Sequence, residues 1–147
     1  MLYIAIDISS SCRAEDIERG LDRVRHAFLC CDEAVIHLVA DKLITSTILK
    51  KPTVTDIVDF ACLSMPFQRG GATFECVFQY LTENWKMSSE LVQNKLDALI
   101  LVSDGWINME KLWYLYPVCK EFPILLSFTD PTCPDPLAPY ENIELVT

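Results

Sequence analysis

Residues 2–11, with the sequence LYIAIDISSS, carry the most informative pattern in this chain of 147 residues. Residues 2–8 form a short, almost continuous apolar run, which is typical of a central β-strand covered on both faces of a sheet. The run contains one acid, Asp7, and is followed by serines that include Ser9 and Ser11. The pattern therefore predicts a first strand that ends in small oxygen-bearing side chains.

Beyond this strand, the apolar pattern alternates between helical and strand-like periods. Helical spacing or composition predicts helices over residues 15–29, 55–60, 74–85 and around 109–115. Buried or alternating runs predict strands over residues 34–40, 43–48, 96–103, 124–128 and 142–146. Residues 130–139 hold four of the eight prolines, so this segment is predicted to be irregular.

The connections between these segments predict how the strands pair. Only Asp41 and Lys42 separate the strands at 34–40 and 43–48, which is too short for a parallel crossover and implies an antiparallel hairpin. The other strands alternate with helices, as in parallel sheets. We therefore predict a single domain over residues 1–147. Its fold is a three-layer, doubly wound, Rossmann-like α/β sheet, mostly parallel with one antiparallel edge strand and helices on both faces.

Composition narrows the possible functions. The formal net charge of −9 would repel nucleic-acid phosphates and anionic lipid surfaces, so neither is an expected partner. The longest apolar runs are strand-sized, far below the ~20 residues of a membrane span, and residues 1–7 lack the basic flank of a secretory signal. The seven cysteines are odd in number and form no CxxC pair, which favours reduced, mostly buried thiols. A cytoplasmic protein is expected.

Three segments that are distant in sequence carry oxygen donors and would meet at one end of the sheet. They are Asp7 to Ser11 after the first strand, Gly70 to Thr73 before a helix, and Ser103-Asp104-Gly105 after a later strand. Ligands of open α/β sheets bind at the carboxyl ends of strands, near the switch in strand order. Hydroxyls with two carboxylates, some acting through water, suit the octahedral oxygen coordination of Mg²⁺.

In order and spacing, the DxSxS pattern of Asp7, Ser9 and Ser11, with the later Thr73 and Asp104, resembles the metal-ion-dependent adhesion site of von Willebrand factor A (VWA) domains. The stretches RGGATF at 69–74, LILVSDG at 99–105 and PYENI at 139–143 more narrowly resemble the VWA-like domain at the C-terminus of bacterial metallopeptidase-like proteins. The resemblance spans nearly the whole chain.

This resemblance implies a site and a function. Ser9, Ser11 and Thr73 would be hydroxyl ligands, and Asp7 and Asp104 would hold the ion directly or through water. The ion would be Mg²⁺, with Mn²⁺ or Ca²⁺ as alternatives. An acidic residue of a partner protein would complete the coordination, which makes the domain a metal-dependent protein-binding module.

The chain departs from the family pattern at two positions near the predicted ligands. Ser10 stands where most members have glycine, and Ala72 interrupts the glycines before the threonine. Neither change removes a ligand. The chain also contains no HExxH sequence, so protease activity is not expected.

Each part of the motif also has an ordinary structural explanation. Ser11 would cap the helix that begins near Ala14, Thr73 would cap the helix that follows it, and Asp104-Gly105 would be a turn. Three nearby residues also have two explanations each. Trp106 is either a binding contact or part of the core packing, and Arg69 either contacts an acidic partner or has only a surface role. Cys12 is either a reactive thiol or a small residue that fills a tight turn.

Two alternative functions remain open at this point. One is a metal-dependent phosphohydrolase with Asp7 as nucleophile, although such chemistry needs a second acid where this chain has Ser9. The other is a structural subunit whose metal site is degenerate. We expect a binding module and no enzymatic activity.

Overall fold

Strands and helices alternate along the chain in the computed structural model, which describes residues 2–29, 31–65, 73–87, 97–105, 109, 112–116, 122–129 and 141–146. The elements are β1 (Leu2–Asp7), α1 (Ala14–Arg23), a 3-10 helix (Arg25–Phe28), β2 (Glu33–Val39), β3 (Leu43–Lys50), α2 (Val54–Ser64), α3 (Glu75–Met87), β4 (Ala98–Ser103), α4 (Leu112–Leu115), β5 (Ile124–Phe128) and β6 (Ile143–Leu145).

The six strands form one sheet in the order β3-β2-β1-β4-β5-β6. Only β3 is antiparallel, paired with β2 at one edge, which confirms the predicted hairpin. The chain moves outward from β1 to β2 on one side and from β4 to β6 on the other. The switch in strand order therefore lies between β1 and β4, where the sequence predicted a site.

Each face of the sheet has its own apolar core, because alternate side chains of a strand point to opposite faces. Ile4 and Ile6 of β1 belong to a core shared with α1 and α2, whereas Ala5 belongs to a core shared with α3 and α4. Helices cover both faces, which confirms the three-layer α/β architecture.

The helix predicted over residues 15–29 is shorter than expected. Helix α1 ends at Arg23, and Val24 leaves the helical path with φ −109° and ψ 16°. A 3-10 helix follows, and Val24 and Phe28 remain buried in the core. Apolar residues three or four positions apart fit both helix types, so the spacing alone did not distinguish them.

Helix α2 extends beyond the predicted residues 55–60, and a reciprocal cap fixes its start. The Asp56 backbone N–H donates to Thr53 Oγ1 (3.1 Å), and the Thr53 N–H donates to Asp56 Oδ2 (3.0 Å). Within the described part of the chain, no helix is both long and apolar enough to span a membrane. Among the described cysteines, Cys12 and Cys31 are buried and Cys62 is exposed.

Candidate functional site

The site lies where β1 and β4 end side by side. Ile6 is paired with Val102 in the parallel register, so the next residues, Asp7 and Ser103, stand at the same level of the sheet. Asp104 and Gly105 follow directly after β4. Both acids are buried, with Asp7 0% and Asp104 5% exposed. The topology thus brings together carboxylates that are almost a hundred positions apart in sequence.

Hydrogen bonds hold both carboxylate oxygens of Asp7. The Ser9 backbone N–H donates to Oδ1 at 2.8 Å, which turns the chain sharply after β1. The Ser103 hydroxyl donates to Oδ2, also at 2.8 Å. Asp7 forms no ion pair with any Lys or Arg in the described segments. Its orientation is therefore fixed by neutral donors, and its charge has no basic partner there.

Ser103 connects the two acids. Its Oγ lies 2.8 Å from Asp7 Oδ2 and 3.3 Å from Asp104 Oδ1. A hydroxyl has one proton, so it can donate to only one carboxylate at a time, and the shorter distance favours Asp7. The same oxygen accepts the backbone N–H of Gly105 at 3.0 Å. Gly105 has a φ of 102°, in the region that favours glycine, which explains the Asp-Gly pair at this turn.

The electrostatics of this pair favour a positive charge nearby. Burial raises the pKa of Asp7, hydrogen bonds from Ser9 and Ser103 counteract this, and the neighbouring Asp104 carboxylate raises the pKa further. Both burial and the neighbouring like charge make the ionised form of Asp7 costly. A bound cation would reverse both effects.

The hydroxyls of Ser9 and Ser11 lie beside Asp7. Ser9 is 3% exposed, and its Oγ is 3.3 Å from Ser11 Oγ. The alternative explanation of Ser11 as a helix cap does not hold, because α1 begins after Arg13, whose backbone N–H donates to Asp16 Oδ2 at 2.9 Å. The structure thus gives Ser11 a contact with Ser9 in place of a contact with the helix.

Thr73 enters the same end of the sheet from another direction. Its backbone N–H donates to Ala40 O at 2.7 Å, and Ala40 follows Val39, the register partner of Asp7. Its Oγ1 accepts the Glu75 N–H at 3.1 Å, at the start of α3. Thr73 therefore satisfies one free N–H at the start of α3, but the N-cap position belongs to Phe74, whose carbonyl accepts the Phe78 N–H at 3.2 Å. A hydroxyl oxygen has two lone pairs, so the bond from the Glu75 N–H leaves one for a second partner.

Thr129, at the end of β5, was not predicted as a site residue. Its backbone N–H donates to Ser103 O at 3.1 Å, which places it one strand away from the acids. Its Oγ1 is buried without a hydrogen-bond partner among the described residues. Ser103 was likewise absent from the predicted ligands. The signal for both was available: a small hydroxyl residue at or just after the end of a central strand.

The oxygen donors fit a small divalent cation. Two ligands about 2.1 Å from Mg²⁺ and at right angles lie about 3 Å apart, close to the separation of the Ser9 and Ser11 hydroxyls. Two carboxylates with several hydroxyls make a hard, oxygen-only donor set. In the described segments no group of three or more His, Cys, Asp or Glu side chains could hold a metal ion.

Cys12 lies directly after these serines, and its thiol does not resemble a nucleophile. Burial raises its pKa strongly, and the charges of Asp7 and Asp104 raise it further. The thiol therefore stays protonated at neutral pH, which favours the turn-filling role. Arg69, the glycines at 70–71, Ala72, Trp106 and the segment 130–139 lie outside the described residues.

No protein-family model and no curated protein matches this sequence. Solved structures do match. The structure of the manganese-loaded TRAP protein of Plasmodium vivax is similar to this chain, with a TM-score of 0.60 and 10% sequence identity. The match covers 99% of this chain and 67% of the TRAP chain. The conserved hypothetical protein BatB of Bacteroides thetaiotaomicron is similar to 85% of this chain, with a TM-score of 0.54 and 17% identity.

The VWA domain of SpRpn10 is similar to 99% of this chain, with a TM-score of 0.51 and 17% identity over 85% of that domain. This chain spans 64% of the BatB chain. At such low identities the likeness concerns the fold. Together with the strand order and the helices on both faces, it establishes that the chain has a von Willebrand factor A-like fold.

Proposed function

We propose that this domain binds a partner protein through a divalent cation held at the carboxyl ends of β1 and β4. One observation carries the proposal: the buried carboxylates of Asp7 and Asp104 are connected through Ser103 and lie beside the hydroxyls of Ser9 and Ser11. When bound, the cation would supply an open coordination position to a carboxylate of the partner.

The residues of the chain have distinct roles in this proposal. Asp7 and Asp104 provide the negative charge, and Asp7 is held in place by its two hydrogen bonds. Ser9, Ser11 and Thr73 provide neutral oxygens. Because these hydroxyls add no charge, the occupied site would be formally neutral and not negative, which would let an acidic side chain take an open coordination position. The manganese-loaded state of the TRAP structure supports the choice of ion for a domain of this fold.

Binding is favoured over phosphoester hydrolysis because of the surroundings of Asp7. A nucleophilic carboxylate in such an enzyme needs a second acid close by in its motif and a positive group for the phosphate. Position 9 holds a serine in place of that acid, and Asp7 forms no ion pair with a Lys or Arg in the described segments. We therefore propose a non-enzymatic module whose partner presents an aspartate or glutamate.

Thermal unfolding tests the metal site. An ion at about 100 times its dissociation constant adds about 2.7 kcal/mol to the free energy of unfolding, which raises the Tm of a domain this size by roughly 5–10 °C. We expect millimolar Mg²⁺ or Mn²⁺ to produce this rise relative to chelator, and Thr73→Ala to lose most of it.

Thr82→Ala is the matched control, because the Thr82 hydroxyl also bonds to the backbone of α3, at Phe78 O (2.7 Å), away from the acids. It should leave the metal-dependent rise unchanged. The proposed site would be contradicted if the metal raised the Tm of Thr73→Ala as much as that of wild type, or if it did not raise the Tm of wild type at all.

A further inference from the structure

The two segments that carry Thr73 and Asp104 are joined by one side-chain hydrogen bond. The Tyr116 hydroxyl donates to Glu75 Oε1 at 3.0 Å. Glu75 is the first residue of α3, two positions after Thr73. Tyr116 follows directly after α4, the helix that comes after Asp104 in the described part of the chain. The bond therefore connects the chain on two sides of the proposed metal site.

Glu75 acts directly on Thr73. Its backbone N–H donates to Thr73 Oγ1 at 3.1 Å, and the Thr73 N–H donates to Ala40 O at 2.7 Å. Thr73 is thus held by the turn after β2 on one side and by the start of α3 on the other. Because the Glu75 N–H occupies one lone pair of the hydroxyl, the position of Glu75 determines where the second lone pair points.

The Tyr116 ring is held in place independently of its hydroxyl. It stacks on the buried Phe78, with ring centroids 6.2 Å apart and an angle of 23° between the planes. The Tyr116 N–H also donates to Leu112 O at 3.2 Å. An ordered ring loses little further side-chain freedom when its hydroxyl binds Glu75. Desolvation and the Glu75 carboxylate raise the pKa of Tyr116, so the hydroxyl keeps its proton and stays a donor at neutral pH.

The chain between Asp104 and Tyr116 is anchored in the apolar core on the α3 face of the sheet. Met109, five positions after Asp104, is buried in this core together with Leu112. The Met109 carbonyl accepts the Leu112 N–H at 3.0 Å, at the start of α4. A shift of α4 relative to α3 would therefore change the separation of Thr73 and Asp104.

We propose that Tyr116 and Glu75 are positioning residues of the metal site, and that their bond clamps the segments of Thr73 and Asp104 at the separation that one ion requires. Adjacent ligands of an octahedral Mg²⁺ ion lie about 3 Å apart, so a small change in this separation lowers the affinity for the ion. In this role neither Tyr116 nor Glu75 binds the ion. The inference rests on the proposed function, because Thr73 and Asp104 act there as ligands.

Titration of Mn²⁺ into the protein by isothermal calorimetry tests the clamp. Tyr116→Phe keeps the ring on Phe78 and removes only the hydroxyl. We expect this variant and Glu75→Ala each to weaken Mn²⁺ binding by about three- to tenfold, the range of one net hydrogen bond. The double variant should bind as weakly as either single variant, because all three remove the same bond. Glu75→Gln should bind nearly as wild type does, because its amide oxygen still accepts the Tyr116 hydroxyl.

Two matched controls separate the clamp from general effects of the substitutions. Tyr3→Phe removes the hydroxyl of another partly buried tyrosine that packs against the same core, near the opposite end of β1 from Asp7. Glu83→Ala removes an exposed acid about two turns further along α3. Both variants should leave the Mn²⁺ affinity unchanged.

Amide hydrogen exchange in chelator gives a second readout that needs no metal ion. The Glu75 N–H should exchange at least about threefold faster in Tyr116→Phe than in wild type, because its bond to Thr73 Oγ1 is less well held. Tyr3→Phe should leave this exchange rate unchanged.

Two outcomes would overturn the clamp. In the first, Tyr116→Phe matches wild type both in Mn²⁺ affinity and in exchange of the Glu75 N–H. In the second, Glu75→Gln binds Mn²⁺ as weakly as Glu75→Ala, because the charge of Glu75 would then be the cause. Absence of Mn²⁺ binding by wild type would refute the proposed function and with it the role in metal binding, whereas the exchange rates would still show whether Tyr116 holds Thr73 in place.

Discussion

His37 gives the sharpest quantitative prediction for the stability of this fold. It lies in β2, 3% exposed, with ring centroids 5.7 Å from Tyr3 and 5.1 Å from Tyr80. Neither of its ring nitrogens has a hydrogen-bond partner within the described segments. Burial lowers the pKa of His37 from 6.5 to about 4, so the ring is neutral in the folded protein at physiological pH.

The lowered pKa makes stability depend on pH. The unfolded chain takes up a proton at His37 near pH 6.5, whereas the folded protein does so only near pH 4. The free energy of unfolding is therefore unaffected above this window and falls as the pH decreases through it, by up to about 1.4 kcal/mol per pH unit. The full loss is about 3 kcal/mol. Burial raises the pKa of the neighbouring Tyr3, so this ring adds no charge beside His37 in this pH range.

Urea unfolding between pH 7 and about pH 4 measures this loss. We expect His37→Leu to be at least as stable as wild type at neutral pH, because it removes two unsatisfied polar atoms, and to lose less stability on acidification. The difference between the two proteins should grow by about 3 kcal/mol across the window. His26→Leu, at an exposed position, is the control and should keep the wild-type pH dependence. Parallel pH profiles for wild type and His37→Leu would refute this reasoning.

Three further variants test packing, capping and the acidic pair by chemical denaturation. Gly20→Ala should lower the free energy of unfolding by about 1–3 kcal/mol, although alanine has the higher helix propensity, because the new Cβ would lie 2.7 Å from Val102 Cγ1. The loss should be smaller in a Val102→Ala background. An equal loss in both backgrounds would contradict the clash. Thr53→Ala should cost about 1 kcal/mol through the cap of α2, and equal effects of Thr53→Ala and Thr55→Ala would contradict that role. In chelator, Asp7→Asn should raise the free energy of unfolding, because it removes a buried charge beside another acid. The same variant should not be stabilised by Mn²⁺. A lower stability of Asp7→Asn in chelator would be inconsistent with the electrostatics described above.

The sequence predicted the fold well where local patterns have one physical explanation. The apolar run at residues 2–8 could be only a strand buried on both faces, and the two residues between β2 and β3 allowed only a hairpin. The end of α1 was not predictable in the same way. Residues 24–28 keep their apolar contacts in a 3-10 helix, so the hydrophobic pattern does not record where the backbone changes.

The sequence indicated which residues lie at the candidate site better than it indicated which contacts they make. Asp7, Ser9, Ser11 and Asp104 lie together, as the topology of parallel strands requires. The roles of Ser103 and Thr129 depend on the register between β4 and its neighbours, which a single sequence does not specify. The alternative that Ser11 caps α1 fails because the N-cap of this helix is Arg13, two positions further along the chain.

Direct titration of Mn²⁺ by electron paramagnetic resonance tests the central claim that these oxygens hold a divalent cation. Wild type should bind one ion per chain, Mg²⁺ should compete for it, and Ser9→Ala should weaken binding by at least about tenfold. Ser10→Ala, at the exposed neighbouring position, should bind as wild type does. The claim would be contradicted if wild type bound no Mn²⁺ at millimolar concentration, or if Ser9→Ala and Ser10→Ala bound it equally well.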